Sequence, residues 1–175
     1  MIINTFTVGP LQCNCTILGD EKTREAIVID PGDDPGTIIG HLEKEKLILK
    51  QIICTHAHID HVAAIHELQQ QSSSPACIHE KDLFLLDNLE AQAEWIGIPT
   101  PPRGEIDRFL SEGDIISCQN MEVDVIHTPG HTPGSLTFHL AGDRPILFTG
   151  DTIFLNSIGR TDLWGGSFDE LIQSI

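Results

Sequence analysis

A seven-residue segment, Thr55-His56-Ala57-His58-Ile59-Asp60-His61, contains three histidines and one aspartate. Zinc prefers neutral imidazole nitrogen and carboxylate oxygen as ligands, and iron and manganese accept the same donors. Residues 51–55 are predicted to form a short buried strand before this segment, and residues 62–71 a helix after it. The histidines therefore lie on a strand-to-helix turn, where neighbouring side chains can face two adjacent metal positions. A solvent-exposed His-rich loop is the alternative interpretation.

Length, net charge and cysteine content limit the classes of protein to which this chain can belong. A chain of 175 residues is expected to form one domain over residues 1–175. The formal net charge of -16 disfavours nucleic acid and anionic membranes as partners. The five cysteines are odd in number and form no Cys-x-x-Cys pair, which favours a reducing compartment. No segment reaches the roughly 18 apolar residues of a membrane span, so a soluble cytoplasmic protein is expected.

The periodicity of apolar residues predicts strands interleaved with helices. Strands are predicted over residues 2–8, 14–18, 26–30, 51–55, 76–79, 122–127, 136–140 and 146–149. Asp34 is predicted to cap a helix that has Pro35 in its first turn, and further helices are predicted over residues 82–95 and from Phe168 onward. This order of elements, with glycine-rich turns at strand ends, indicates an α+β or layered α/β protein.

Two further clusters of polar residues follow later strands. In the segment from His127 to Ser135, two Pro-Gly turns flank His131 and can aim its imidazole inward. In the segment from Phe148 to Phe154, an apolar strand ends at Gly150 and Asp151, and a carboxylate in such a place commonly binds a cation. Thr-Gly-Asp is also a common turn, so it is the combination with the first segment that indicates a metal site.

Together these motifs resemble the metallo-β-lactamase superfamily, and most closely its glyoxalase II branch of small bacterial hydrolases. The resemblance spans nearly the whole chain, from Asp30-Pro31-Gly32 to Ser157-Ile158-Gly159-Arg160-Thr161-Asp162. It implies a four-layer αβ/βα sandwich with metals at the edge where strand ends converge. It also implies the ligands: His56, His58 and His131 for one metal, Asp60 and His61 for the other, Asp151 bridging the two metals, and Asp30 supporting the ligands.

The ligand set indicates hydrolysis. Two adjacent zinc ions, or iron or manganese in their place, lower the pKa of a shared water and hold the resulting hydroxide for attack on a carbonyl. Asp60 can orient that hydroxide and accept its proton, and the metals stabilise the oxyanion. The resemblance implies a small-molecule substrate, a thioester of the hydroxyacylglutathione type.

The superfamily pattern closes with one more strand and helix after the third motif, and these carry a last histidine. The chain ends at Ile175, and no histidine follows His139. We therefore expect a fold that lacks its C-terminal strand and helix, either as a fragment or as an incomplete member. The second metal site is then weak, empty or completed from elsewhere, and exposed apolar surface favours a homo-oligomer.

Other interpretations remain open at this stage. A persulfide (sulfur) dioxygenase of the same branch would use one iron, held by His56, His131 and Asp151, with open positions for dioxygen and a thiolate. An inactive metal-binding member would show neither activity. Arg160 is predicted either to bind a substrate carboxylate or to pair with Asp162. His127 either supports the loop of the second motif or simply packs in the structure.

Overall fold

The computed structural model describes residues 1–175, and two β-sheets form its centre. The first sheet contains, in spatial order, β1 (Ile2–Val8), β2 (Cys13–Gly19), β3 (Glu25–Ile29), β4 (Ile48–Ile53), β5 (Ala76–Ile78) and β6 (Arg108–Phe109). The second contains β7 (Ile115–Cys118), β8 (Met121–His127), β9 (Leu136–Leu140) and β10 (Ile146–Phe148), in the spatial order β10-β9-β8-β7. A short hairpin pairs β11 (Ile153–Phe154) with β12 (Ser157–Ile158).

Six short α-helices connect or flank these strands. They are α1 (Pro35–Lys44), α2 (Ile59–Val62), α3 (Ile65–Ser72), α4 (Leu83–Leu86), α5 (Leu89–Ile96) and α6 (Phe168–Ser174), with a 3-10 turn at Glu80–Asp82. None of them has the length and apolar character that a bilayer crossing requires.

The strand directions bring the polar motifs to one edge. Strands β3, β4, β5 and β6 run parallel, so the segments that follow them leave the same edge of the first sheet. In the second sheet β8 and β10 are both antiparallel to β9 and therefore share a direction. The backbone N–H of Leu136 donates to the carbonyl of Thr55 over 2.7 Å, which joins the two sheets at the edge that carries the histidines.

The central strands of the first sheet are buried on both faces. Along β3, Ile27 and Ile29 face the second sheet and pack in one apolar cluster with Phe138. Val28 points the opposite way and packs with Ile38 of α1 in the cluster under the helices. Each such side chain contributes about 1.5–3 kcal/mol when fully buried. Continuous apolar runs in these strands thus reflect two cores, one on each face.

The strands predicted from the sequence agree well with those of the structure, whereas two of the predicted helices do not. The bounds of β1 and β9 are confirmed, whereas β4 ends at Ile53 and not at Thr55. The helix predicted over residues 62–71 is broken into α2 and α3. At the break the N–H of Ala64 donates to the carbonyl of Pro31 over 3.0 Å, so the chain bends there.

Two other predictions about helices require correction. Residues 82–95 do not form one helix: Asp82 ends the 3-10 turn, and α4 and α5 follow with a break between them. At the break Asn88 Nδ2 donates to the Phe84 carbonyl over 2.7 Å, in place of the backbone N–H that would continue the helix. Asp34 precedes α1 but does not cap it. Its φ is +51° and its Oδ2 accepts from the N–H of Gly9 over 2.9 Å. Strands β6 and β7 were not predicted; the two residues of β6 are exposed and pair with β5 alone.

Gly150 offers a test of how the two sheets meet. Its φ is +48°, and a Cβ at this position would clash with the Thr55 side chain. We expect Gly150→Ala to lower the free energy of unfolding by about 2–4 kcal/mol, through overpacking and an unfavourable φ. Gly36→Ala is the matched control, because Gly36 lies in α1 with open space around it. Urea denaturation should show the control unchanged or more stable by up to about 1 kcal/mol; equal stability of the two variants would contradict the described packing.

Candidate metal centre

The predicted ligands come from three separate segments of the chain and meet at one edge. His56 and His58 are buried in the loop between β4 and α2, and His61 is buried within α2. His131 is buried in the loop after β8. Asp151 follows β10, and like Asp60 in α2 it is half-buried. The His-rich segment is thus not a solvent-exposed loop.

The donor atoms form two groups that share one histidine. His56, His58 and His131 make the first group, and His56, His61 and Asp151 make the second. Within each group the nitrogen or oxygen atoms lie within 4.8 Å of one another. Because His56 belongs to both, two adjacent cation positions are available.

Hydrogen bonds to the Nδ1 atoms orient two of these imidazoles. His131 Nδ1 lies 2.7 Å from the carbonyl oxygen of Arg160, and His61 Nδ1 lies 3.2 Å from Asp30 Oδ2. A carbonyl or carboxylate oxygen can only accept, so each Nδ1 carries the proton. In each neutral ring, Nε2 then carries the lone pair that can bind a metal.

Two consecutive hydrogen bonds, through the Thr55 hydroxyl, connect His56 to Asp30. His56 Nδ1 lies 3.1 Å from Thr55 Oγ1, which donates to Asp30 Oδ2 over 2.8 Å. The hydroxyl oxygen can then accept a hydrogen bond from Nδ1–H, which again leaves Nε2 with the lone pair. Asp30 Oδ1 also accepts from the Thr55 N–H over 2.6 Å. One buried carboxylate, that of Asp30, therefore orients both His56 and His61.

Several buried nitrogens have no partner within the protein. His56 Nε2 and His58 Nε2 make no hydrogen bond, an arrangement that costs roughly 1–3 kcal/mol per atom. His58 Nδ1 and His131 Nε2 lie 2.9 Å apart, so a proton or a cation must lie between them. Divalent metal ions satisfy such unpartnered imidazoles, and the donor set of histidine and aspartate suits them. The residues therefore fit a metal ion.

The electrostatics of the groups also suit a cation. Burial lowers the pKa of His56 well below its ordinary value, and burial and the neighbouring histidines lower that of His58 to about 3. Both imidazoles are thus neutral, the form that binds metals. Burial alone would raise the pKa of Asp151, but His61 and His131 beside it lower it, so this carboxylate is ionised. His61 differs: burial lowers its pKa, but Cys13 and Asp30 raise it well above its ordinary value, so a metal ion at its Nε2 would displace a proton.

The two aspartates of the predicted ligand set lie differently. Asp151 is between the groups, with Oδ1 3.4 Å from His61 Nε2 and Oδ2 3.5 Å from His131 Nε2. Asp60 lies at the margin, with Oδ2 3.7 Å from His61 Nε2, and it belongs to neither compact donor group. Asp60 is therefore the less constrained of the two carboxylates.

Asp82 is a site residue that sequence reasoning did not identify. It is fully buried, and Oδ2 accepts from the Ala57 N–H over 3.1 Å and from Thr132 Oγ1 over 2.7 Å. Its Oδ1 accepts from the Gly134 N–H over 2.6 Å. Asp82 thus ties the His56–His58 loop to the His131 loop. Its position just after β5, at the edge where the other motifs lie, was the signal that could have revealed it.

The two remaining predicted residues have clear positions. His127 Nε2 lies 3.0 Å from the Pro133 carbonyl, and its ring stacks on His79 with centroids 4.5 Å apart. It therefore contacts the His131 loop without joining the donor groups. Arg160 makes a bidentate pair with Asp162, two hydrogen bonds of 2.8 Å each, beside a cavity over the metal centre.

Comparisons with known proteins agree with this geometry. The sequence profile of the metallo-beta-lactamase superfamily matches residues 8–175. The chain is 37% identical over 177 residues to hydroxyacylglutathione hydrolase GloC of Haemophilus influenzae, covering all of this chain and 82% of that protein. Its structure is similar to BLEG-1 B3 metallo-beta-lactamase, with a TM-score of 0.91, 32% identity, and coverage of 99% of this chain and 83% of that one. It is also similar to the di-iron-bound form of TTHA1623, with a TM-score of 0.83, 33% identity, and coverage of 98% and 83%. The predicted layered fold is confirmed.

Removal of metal tests the donor groups. We expect zinc-loaded protein to unfold at a lower temperature after treatment with a chelator, because a ligand at about 100 times its Kd adds roughly 2.7 kcal/mol of stability. His131→Ala should bind less zinc and lose most of this chelator effect. His139→Ala is the control, since His139 pairs with Asp124 away from the groups. Zinc content by mass spectrometry and thermal unfolding measure both; wild-type zinc content in His131→Ala would exclude this residue as a ligand.

Asp82 generates a separate prediction. In Asp82→Asn the new amide must place an N–H₂ group against one of the donors that the carboxylate now accepts. We expect a loss of about 2–4 kcal/mol in the free energy of unfolding and weaker zinc binding. Asp87→Asn breaks an exposed pair with Arg103 and should cost at most about 1 kcal/mol. Urea denaturation and zinc titration compare the two, and matching results would show that Asp82 does not hold the loops together.

Proposed function

This chain belongs to the metallo-β-lactamase superfamily, and on that premise we propose that it is a metal-dependent thioesterase of the hydroxyacylglutathione hydrolase type. The observation that carries the proposal is the convergence of oriented imidazoles on two adjacent donor groups, with the ionised Asp151 between them. The likeness to GloC along the whole chain supports a thioester as the substrate.

The proposed ligands follow the donor groups. His56, His58 and His131 would hold one ion, and His61 and Asp60 would hold the second with Asp151 between the two. Zinc is the proposed metal, and the di-iron form of TTHA1623 supports iron as a further candidate. When bound, such ions act as Lewis acids that lower the pKa of water and polarise a carbonyl.

The chain's own residues have distinct parts in this proposal. Asp60 is half-buried and lines the cavity over the metal centre, so its Oδ2 can accept a proton from water. Asp30 and Asp82 keep the histidines in place through hydrogen bonds from Thr55, Ala57 and Gly134. The backbone oxygen of Arg160 fixes the orientation of His131.

The proposed site of action is the cytoplasm, because all five cysteines are buried free thiols, as expected in a reducing compartment.

Asp60→Asn tests the proposed proton acceptor. With S-lactoylglutathione as substrate, we expect kcat to fall about 10²–10⁴-fold, because the amide cannot take the proton. Asp124→Asn, which changes an exposed partner of His139, should retain the wild-type kcat. Zinc content is measured on both variants, so that a loss of metal is distinguished from a loss of proton transfer. A wild-type kcat in Asp60→Asn would exclude the role of this residue.

Persulfide dioxygenation is the second candidate function. His131 Nε2 and Asp151 Oδ2 lie 3.5 Å apart, and His56 shares a donor group with each of them, which suits a single iron. Iron-loaded protein with glutathione persulfide in an oxygen electrode tests this candidate. Dioxygen consumption without thioester cleavage would replace the hydrolase proposal. Neither activity, on protein with full metal content, would identify an inactive metal-binding member.

A further inference from the structure

A cavity of about 490 Å³ opens over the candidate metal centre. His58, His131, Asp60 and Asp151 form part of its wall. Most of the remaining wall is apolar and consists of Leu11, Ile59, Trp95, Ile96, Leu163 and Trp164. Apolar walls around a few convergent polar groups are typical of small-molecule sites. The cavity therefore has the form of a substrate site, and its apolar side is the part that the proposed chemistry does not use.

Two tryptophans dominate the apolar side. Trp95 on α5 is 57% exposed and Trp164, in the loop before α6, is 40% exposed. Their ring centroids are 6.0 Å apart with an interplanar angle of 72°, the edge-to-face arrangement of aromatic pairs. Much of both ring surfaces remains open to solvent beside the cavity. A flat apolar group entering the cavity would cover this exposed aromatic surface.

The charged residues of the cavity wall favour a substrate group that is aromatic over one that is anionic. Arg160 is the only lysine or arginine that lines the cavity. Asp162 occupies its Nε and Nη2 atoms, and its Cζ lies 5.6 Å from the centroid of the Trp95 ring. Its charge is thus already balanced by a carboxylate and directed at an aromatic face. An anionic group in a substrate would find no unpaired protein cation in this wall.

We propose that Trp95 and Trp164 form an aromatic wall that selects the acyl group, so that the preferred substrates are thioesters whose hydroxyacyl group carries an aromatic ring. The proposal rests on the proposed function only for the kind of bond that is cleaved. The recognition of the ring itself depends on the two tryptophans and on the apolar side chains beside them.

Intrinsic fluorescence gives a binding assay that is independent of turnover. The chain has two tryptophans and no tyrosine, and both tryptophans line this cavity. The zinc-loaded protein is titrated with S-benzylglutathione and with S-methylglutathione, two uncleavable thioethers of equal charge that differ in the aromatic ring. We expect the benzyl compound to change the tryptophan fluorescence and to bind about tenfold more tightly.

Variants assign this difference to the aromatic wall. Trp95→Ala and Trp164→Ala should each reduce the preference for the benzyl compound severalfold, and Trp164→Phe should retain most of it. Phe109→Ala is the matched control, because Phe109 is 41% exposed and lies outside the cavity. Calorimetry supplies the affinities where a tryptophan has been removed.

Kinetics extend the test to the acyl group. S-mandeloylglutathione and S-lactoylglutathione differ by a phenyl group in place of a methyl group on the hydroxyacyl carbon. We expect kcat/KM to be about tenfold higher for the mandeloyl thioester, and Trp164→Ala to bring the ratio close to one. Phe109→Ala, a substitution outside the cavity, should leave kcat/KM for both thioesters at the wild-type level.

The outcomes separate the two proposals. Equal affinities for the two thioethers would overturn the aromatic wall. Binding that does not depend on the aromatic ring and weakens with added salt would overturn it as well. Thioester cleavage without discrimination between the acyl groups would support the proposed function and reject the aromatic wall as an acyl selector. Tryptophan-dependent binding of the benzyl compound without cleavage of any thioester would support ring recognition and reject the proposed function.

Discussion

The hydrogen bonds that the Asp82 carboxylate accepts hold together the two loops that carry the histidines. Those loops belong to different sheets, one following β4 and the other following β8. A buried carboxylate is costly unless donors surround it, and here Ala57, Thr132 and Gly134 provide them. Burial raises the pKa of Asp82 even so, which shows that part of this cost remains. The distance between the histidines of the two loops depends on this contact.

Hydrogen bonds to Nδ1 orient three of the four imidazoles. Asp30 orients His61 directly and His56 through Thr55, and the carbonyl of Arg160 orients His131. Groups that fix the Nδ1 proton determine which nitrogen is free to bind a metal, and they reduce the reorganisation that binding requires. The metal centre is therefore largely formed by the protein fold itself.

Arg160 connects this centre with the aromatic wall. Its backbone oxygen binds His131, while its guanidinium, held by Asp162, lies over the Trp95 ring. The same short segment thus supports a ligand on one side and shapes the cavity on the other. The proposed acyl site and the donor groups are adjacent in space because Arg160 contacts both.

We could predict from the sequence the donor chemistry of the segment from His56 to His61, the family, and the bounds of strands such as β9, because ligand type and apolar alternation are local properties. Long-range packing was needed to place Asp82 between two loops, to bond Ala64 to Pro31 at a break in a helix, and to bring Trp95 against Trp164. These contacts join residues far apart in the chain. Local periodicity carries no information about which distant groups will satisfy a buried polar atom or share an exposed apolar surface.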